Sequence, residues 1–329
     1  MTRRGYAGRR FMRVLIVTNM WPTEERPALG SFVRDQVDAL RRIDGLDLEV
    51  FSFIPTGGVK SYVRAARELR RKHGRDQFDV VHAHYGMTAW CTLGLRGAPR
   101  AVTFHGTDLG HPRFGRLSRA VAKWMDLPAT ASGWLARQPK AGLRGAGDTR
   151  RVAVLPTGVN LDRFARTDRR AARERLGLDP AGRYLLFPSD PSRPEKRHDR
   201  ARALAEAAGA TLLTYDATPP SDVPLMINAA NAVVVTSERE GFGLAALEAL
   251  ACDVPVLATD VGIAPLALKG VRGTLVAPFD LQRWLAAVKP HLDAPDPRIE
   301  GRARAALFDS NRMAMRVFEA YRALTQSES

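Results

Sequence analysis

The sequence predicts an α/β protein of two domains, each built on a parallel sheet, and three observations carry that reading. Short β-branched and apolar runs recur along the chain with helical segments between them, the alternation of parallel sheets with helices on both faces. The chain has 329 residues, long for one domain and comfortable for two, and 45% of them are hydrophobic, enough to fill a core in each. A polar, arginine-rich, turn-forming segment from Leu161 to Gly182 shows no strand signal and reads as the connection between the two series.

Taken in order, the chain opens with the basic stretch MTRRGYAGRRF, expected to be a disordered extension over residues 1–11, before Met12 starts the first core strand. The apolar run that follows is too short for a signal peptide, carries Arg13 and lacks a small-residue cleavage site. Strands are expected at 13–19, 48–53, 78–85, 100–106, more weakly at 127–132, and at 151–159, with helices near 31–43, 60–73, 87–95, 116–126 and 132–141. The second series begins with a strand at 184–190 and continues with a helix over 196–208, a strand at 211–215 and a short helix near 223–230. After the stretch discussed next come a strand at 273–278 and helices near 280–292 and 298–325.

The segment from Asn231 to Gly262, NAVVVTSEREGFGLAALEALACDVPVLATDVG, organises the second half as strand, loop, helix, strand. Its apolar part, Phe242 to Cys252, reads as a buried helix whose only charged side chain is Glu248, and a buried carboxylate requires a partner. Glu240 stands just before that helix, beside Gly241 and Gly243, where bare backbone can approach a ligand. Free N–H groups at a helix start favour an anion.

The pattern E-x7-E with its alanine-rich helix, EGFGLAALEALA, resembles the nucleotide-sugar site of GT-B glycosyltransferases, in particular the retaining enzymes of glycosyltransferase family 4. The resemblance implies two Rossmann-like domains facing across a cleft, an acceptor-side domain at 12–165 and a nucleotide-sugar domain at 166–310, with a final helix at 311–329 crossing back to the first. It implies that Glu240 holds the donor sugar, Glu248 the donor ribose, and the amides of Gly241, Phe242, Gly243 and Leu244 sugar or phosphate oxygens. Gly30 and Ser31, in the loop WPTEERPALGSFVRDQ, match a glycine-containing loop that approaches donor phosphate and acceptor. In FPSDPSRPEKRHD, Lys196 matches the lysine that family members place on the diphosphate. The companion arginine does not align, because Pro191 holds its position, and either Arg193 or Arg197 takes its place. His105, in VTFHGTD, matches a histidine lining the pocket of the transferred sugar, and Asp108 is the candidate for orienting an acceptor hydroxyl, or else for capping a turn. Base contacts would come from Val223 to Met226, where the chain passes almost directly from strand to helix. The reaction implied is front-face transfer with retention, under domain closure, in synthesis of a cell-surface polysaccharide or glycolipid.

No cofactor or metal is expected. His82 and His84 in VVHAHYG turn to one face of a strand, but no third ligand has a recognisable position. Cys91 and Cys252 lie far apart in apolar surroundings and suit a reducing cytoplasm. The formal charge of +15 attracts polyanions of any kind. Lys60, Arg64, Arg67, Arg71 and Arg75 form one stripe, and Arg113, Arg116, Arg119 and Lys123 interleave with Phe114, Leu117, Val121 and Trp124. Both are candidates for peripheral contact with anionic membrane, or for plain solvated faces. The expected partners are therefore a nucleotide sugar and a saccharide or lipid-linked acceptor. Two other readings stand beside transfer: a GT-B-fold nucleotide-sugar epimerase, whose extra acid and base have no visible place, and a basic nucleic-acid-binding protein, for which no recognition motif is present.

Overall fold

In the computed structural model, which describes residues 11–138, 152–215 and 218–326, the chain divides into two units. The first takes Met1–Ala131, Ala136–Thr157 and Met313–Ser329; the second takes Ser132–Leu135 and Gly158–Arg312.

The strands of the first unit are β1 (Met12–Thr18), β2 (Leu46–Ser52), β3 (Val80–His84), β4 (Arg100–Phe104), β5 (Leu127–Thr130) and β6 (Ala153–Val154). They pair in parallel in the order β2-β1-β3-β4-β5-β6. Side chains alternate across the sheet, so Val14 and Ile16 enter one core while Leu15 and Val17 enter the other. The first core packs on Val33, Val37 and Leu40 of α1 (Ser31–Leu40); the second packs on Tyr62, Ala65 and Leu69 of α2 (Val59–His73) and on Met87 and Cys91 of α3 (Gly86–Thr92). The last helix, α14 (Ser310–Gln326), supplies Ala314, Val317 and Tyr321 to the α1 core.

The second unit holds β7 (Tyr184–Phe187), β8 (Thr211–Thr214), β9 (Ala232–Val235), β10 (Val256–Ala258) and β11 (Leu275–Val276), parallel in the order β11-β10-β9-β7-β8. One face packs on α8 (His198–Ala208) and α12 (Leu281–Asp293), with Trp284 fully buried among Leu185, Val234 and Leu257. The helix of the organising stretch, α10 (Leu244–Ala251), buries Ala246, Leu247, Ala249 and Leu250, and α9 (Val223–Ala229) connects β8 to β9 directly.

Differences from the expected elements have local causes. α10 starts at Leu244 rather than 242, because Gly243 turns the chain at φ 90°. β10 begins after Pro255, which has no N–H to donate, and β11 is shortened by Gly273 at φ 78°. The helix near 116–126 is α5 (Gly115–Ala120) followed by a tighter turn at Val121–Trp124, and that near 298–325 is α13 (Arg302–Ala305), another tight turn and α14. Of the helix near 132–141, α6 (Gly133–Arg137) is present, while residues 139–141, Arg151 and residues 1–10 of the basic extension lie outside the described residues. Two helices of one turn, α4 (Thr107–Gly110) and α11 (Ala264–Ala267), are too short to show periodicity.

The arginine-rich connection is ordered and belongs to the second unit from Gly158 on, so the first unit ends earlier than residue 165. It contains α7 (Arg169–Arg175), capped by Asp168, whose side chain accepts from Ala171 N at 2.8 Å. Two of its arginines, Arg169 and Arg173, are buried, and with Arg298 and Arg302 from later in the chain they bond to main-chain carbonyls. Arg173 donates to Ala229 O (2.9 Å), Pro180 O (2.7 Å) and Asn231 Oδ1 (2.8 Å), Arg298 to Cys252 O (3.1 Å) and Thr167 O (2.9 Å), and Arg302 to Phe164 O (2.8 Å), Ala251 O (2.9 Å) and Leu161 O (2.9 Å). Guanidinium groups thus satisfy carbonyls at the ends of α9 and α10 that the helices leave open. Arg302→Met is expected to lower unfolding free energy by about 2–4 kcal/mol, read from the urea midpoint, because three carbonyls lose a charged donor.

Candidate active site

In the second sheet the connection after β7 leaves toward β8, and the chain returns to place β9 on the opposite side of β7. Loops from the carboxyl ends of β7 and β9 therefore diverge, which opens a crevice at that strand pair. The two loops are stitched together there: Thr236 Oγ1 donates to Lys196 O and Arg197 O, both at 3.0 Å, and Glu238 N donates to Glu195 O at 2.9 Å. At the join, Lys196 Nζ lies 2.6 Å from both carboxylate oxygens of Glu240, and each side chain is only 13% exposed. Ser237 Oγ donates to Glu240 Oε1 at 2.7 Å, so the carboxylate is fixed from two sides. A charge pair this short and this shielded is stronger than a surface ion pair.

The turn from Glu240 into α10 has no side-chain cap, so the first N–H groups of the helix have no side-chain acceptor. A loop from β10 closes under it: Ile263 N donates to Phe242 O at 2.7 Å, and a Cβ at Gly262 would stand 2.4 Å from Phe242 O. Gly262 is therefore required at that contact, a role visible only once the loops are seen together. Glu248, one turn into α10, is half-buried rather than sealed inside, and it lies near Tyr215 and Cys252. Burial, with Glu248 nearby, pushes the Tyr215 phenol well above its usual range.

The two arginines are engaged by neighbouring carboxylates. Arg193 pairs with Glu195 at 2.7 Å; Arg197, in the left-handed region at φ 55°, pairs with Asp199 at 2.6 Å and with Glu238. Lys196 and Glu240 are brought together directly, while Arg193 and Arg197 border them on the same loop.

The first sheet has its own point of divergence between β1 and β3, and the remaining site residues gather along that carboxyl edge. Gly30, at φ 66°, begins α1, and a Cβ there would meet Met20 O at 2.2 Å, so only glycine lets the returning loop close. Ser31 follows, and Phe32 sets its ring 5.0 Å from that of His105. His105 is also 3.1 Å from His84 through Nε2 and Nδ1. Burial lowers the pKa of His82 and His105 well below the usual imidazole range and that of His84 to about 4, so all three rings are neutral. Tyr85 adopts φ 86°, a costly conformation for a side chain of its size, and starts α3.

Asp108 does not face a ligand. It is fully buried, and its oxygens accept from the main-chain N–H groups of Gly86 (3.0 Å), Gly106 (2.9 Å), Leu109 (3.0 Å) and His105 (3.2 Å). It caps the turn and ties the loop after β4 to the start of α3, which holds the His105 backbone in place. Among the described residues the one three-ligand grouping of metal-binding types is Glu49, His73 and Asp76, and there Arg13 Nη2 sits 2.7 Å from Glu49. His82 and His84 are engaged with other partners.

Residues 5–163 match the model of "Glycosyltransferase Family 4" and residues 190–305 that of "Glycosyl transferases group 1". A D-inositol 3-phosphate glycosyltransferase of Mycobacterium avium is 38% identical over 291 residues, covering 74% of this chain and 68% of that protein. The chain belongs to glycosyltransferase family 4. Further relatives bear the same name: that of Geodermatophilus obscurus is 31% identical (81% of this chain, 71% of the relative), and that of Segniliparus rotundus 29% identical (74% and 64%). The glycosyltransferase thus spans about two thirds of the length of these relatives. Its fold is that of solved GT-B enzymes, among them sucrose-phosphate synthase from Thermosynechococcus elongatus (TM-score 0.73, 17% identity, 96% of this chain and 100% of that one). Anabaena HepE in complex with UDP and glucose is similar too (TM-score 0.69, 16% identity, 95% and 100%).

Burial raises the Asp108 pKa to about 6, against four N–H donors that pull it down. Its protonated form is therefore favoured on folding, and that contribution, complete below about pH 4, is lost as pH rises through about 6. Urea unfolding at successive pH values should show this loss of stability between pH 4 and 6 in the wild type and a flatter profile in Asp108→Asn, which is also less stable because its amide opposes N–H donors.

Proposed function

We propose that the enzyme transfers a sugar from a nucleotide-diphosphate sugar to an acceptor hydroxyl with retention of anomeric configuration. The observation that carries this reading is the Lys196–Glu240 pair at the divergence point of the second sheet, directly before a helix start that no side chain caps. A cation and outward N–H groups suit a diphosphate; an adjacent carboxylate suits sugar hydroxyls. A diphosphate competing for Lys196 would release Glu240 for the sugar, so one exchange of partners serves both ends of the donor. Arg193 and Arg197 stand on the same loop and can follow only by leaving Glu195, Asp199 or Glu238. Glu248 is assigned to the ribose, Gly241 to Leu244 to oxygens of the phosphate or sugar, and His105 with Gly30 and Ser31 to the transferred sugar and acceptor.

Double displacement through the protein needs a carboxylate nucleophile close to the reacting carbon. Asp108, the carboxylate nearest His105 in sequence, is sealed and fully bonded. Front-face transfer fits better: the acceptor oxygen bonds to the anomeric carbon as the bond to the diphosphate oxygen breaks, and that oxygen takes the acceptor proton. Lys196 and the α10 amides stabilise the charge it gains. No cofactor or metal enters this scheme.

The same reading places the enzyme in the cytoplasm, at the inner face of the membrane, working on a saccharide or lipid-linked acceptor in polysaccharide or glycolipid synthesis. Among the described residues no helix is long and apolar enough to cross a membrane. The first unit instead exposes Trp124 (51%), Leu117 (44%), Val59 (48%) and Val63 (45%) among exposed Lys60, Arg64, Arg67, Arg113 and Arg116. Apolar anchors surrounded by cations suit an anionic bilayer, each basic group contributing about 1 kcal/mol.

Lys196→Ala should weaken binding of the nucleoside diphosphate about tenfold or more in calorimetry. Glu240→Gln should lower kcat by about a hundredfold without weakening that binding; unchanged turnover rejects the role of Glu240. Uridine, guanosine and adenosine diphosphate sugars form the donor screen, with D-inositol 3-phosphate, named in its relatives, among the acceptors. Vesicles containing phosphatidylglycerol should sediment the enzyme and pure phosphatidylcholine should not, with Trp124→Ala and Leu117→Ala together abolishing the difference.

A further inference from the structure

The three buried imidazoles form a column whose proton placement can be worked out. The His84 ring lies 4.6 Å from that of His82 and 5.3 Å from that of His105, at interplanar angles of 30° and 16°. His82 uses both nitrogens, Nδ1 with Tyr321 Oη at 2.6 Å and Nε2 with Thr103 Oγ1 at 2.8 Å. His84 uses Nδ1 toward His105 Nε2, at 3.1 Å, while its own Nε2 is buried with no hydrogen-bond partner among the described residues. Each ring is neutral and carries one proton, so one of the two facing nitrogens is protonated and the other is not.

If His105 Nε2 carried the proton, the His84 proton would sit on Nε2, an N–H sealed away from any acceptor, at a cost of about 1–3 kcal/mol. Buried N–H groups without partners are the rarer fault in folded proteins. With the proton on His84 Nδ1 instead, the contact is made and only a lone pair goes unmet. We infer that His84 donates through Nδ1 to His105 Nε2 and so fixes His105 as the tautomer protonated at Nδ1. No described residue bonds that Nδ1. His105 therefore offers an N–H donor to an oxygen of the substrate, and its one ring acceptor is already occupied, which excludes it as a general base. His84 is a positioning residue: it touches no substrate and sets which hydrogen bond His105 can make. The catalytic consequence rests on the proposed place of His105 at the transferred sugar; the tautomer itself does not.

The test begins with nitrogen NMR of the full chain labelled with 15N at its seven histidines, using His105→Gln to assign the His105 signals. The expected result is a protonated, pyrrole-type Nδ1 and a bare, pyridine-type Nε2 in His105; the reverse assignment overturns the inference. His84→Phe removes the donor while keeping an aromatic ring in the column. It should leave His105 as a mixture of tautomers and lower kcat about tenfold, the loss of one hydrogen bond, with donor KM within about twofold. His84→Asn keeps a donor near the Nδ1 position and should recover kcat to within about threefold of wild type. An unchanged His105 tautomer in His84→Phe, or equal losses in both variants, would show that His84 does not set it. Should no donor support transfer at all, the spectra still decide the tautomer, and the failure belongs to the proposed reaction alone.

Discussion

Two chain crossovers that leave one pair of parallel strands in opposite directions decide where this protein can do chemistry. In the second unit that pair is β7 and β9, and the loops that part there carry Lys196 and Glu240; in the first it is β1 and β3, with Gly30 on one loop and Tyr85 on the other. The central strands are buried on both faces, so a ligand is met at these carboxyl edges. A glycine at a tight contact, Gly30, an unfavourable φ at Tyr85 and the linked loops of Thr236 and Glu238 all stand at those edges.

Much of this was legible in the sequence because the signals were local. Parallel strands buried on both faces read as continuous β-branched runs, and AVVV and RVLIV lie where such runs were marked. The contrast between charged EREGFG and apolar LAALEALA located the start of a helix to within two residues. What stayed hidden was the work of side chains that act at long range. Arg169 and Arg173 stand in a segment that reads only as a polar, turn-forming connection, because nothing in their neighbours reveals that distant carbonyls would need them. Asp108 was open between orienting an acceptor hydroxyl and capping a turn, and only the position of Gly86, at the start of α3, shows that it also clasps two segments together. Either Arg193 or Arg197 was expected on the diphosphate, and a neighbouring carboxylate pairs with each of them here.

The high positive charge, too, divides into parts with different meanings. Arg169, Arg173, Arg298 and Arg302 are spent inside the second unit on backbone carbonyls, where desolvation and mutual repulsion depress Arg169 to about 9. The cations of α2 and α5 stand in water beside exposed tryptophan and valine. A formal sum treats the two sets alike, although only the second can attract anything.

Tyr321 gives α14 a role beyond filling space. Its hydroxyl reaches His82 in the middle of a sheet whose first strand begins three hundred residues earlier, and Ala314 and Val317 close the core beneath it. During synthesis, β1 through β5 emerge with one wall of their interior missing and a polar ring uncovered. The core of the first unit therefore has its full set of side chains only once the last helix of the chain has been made.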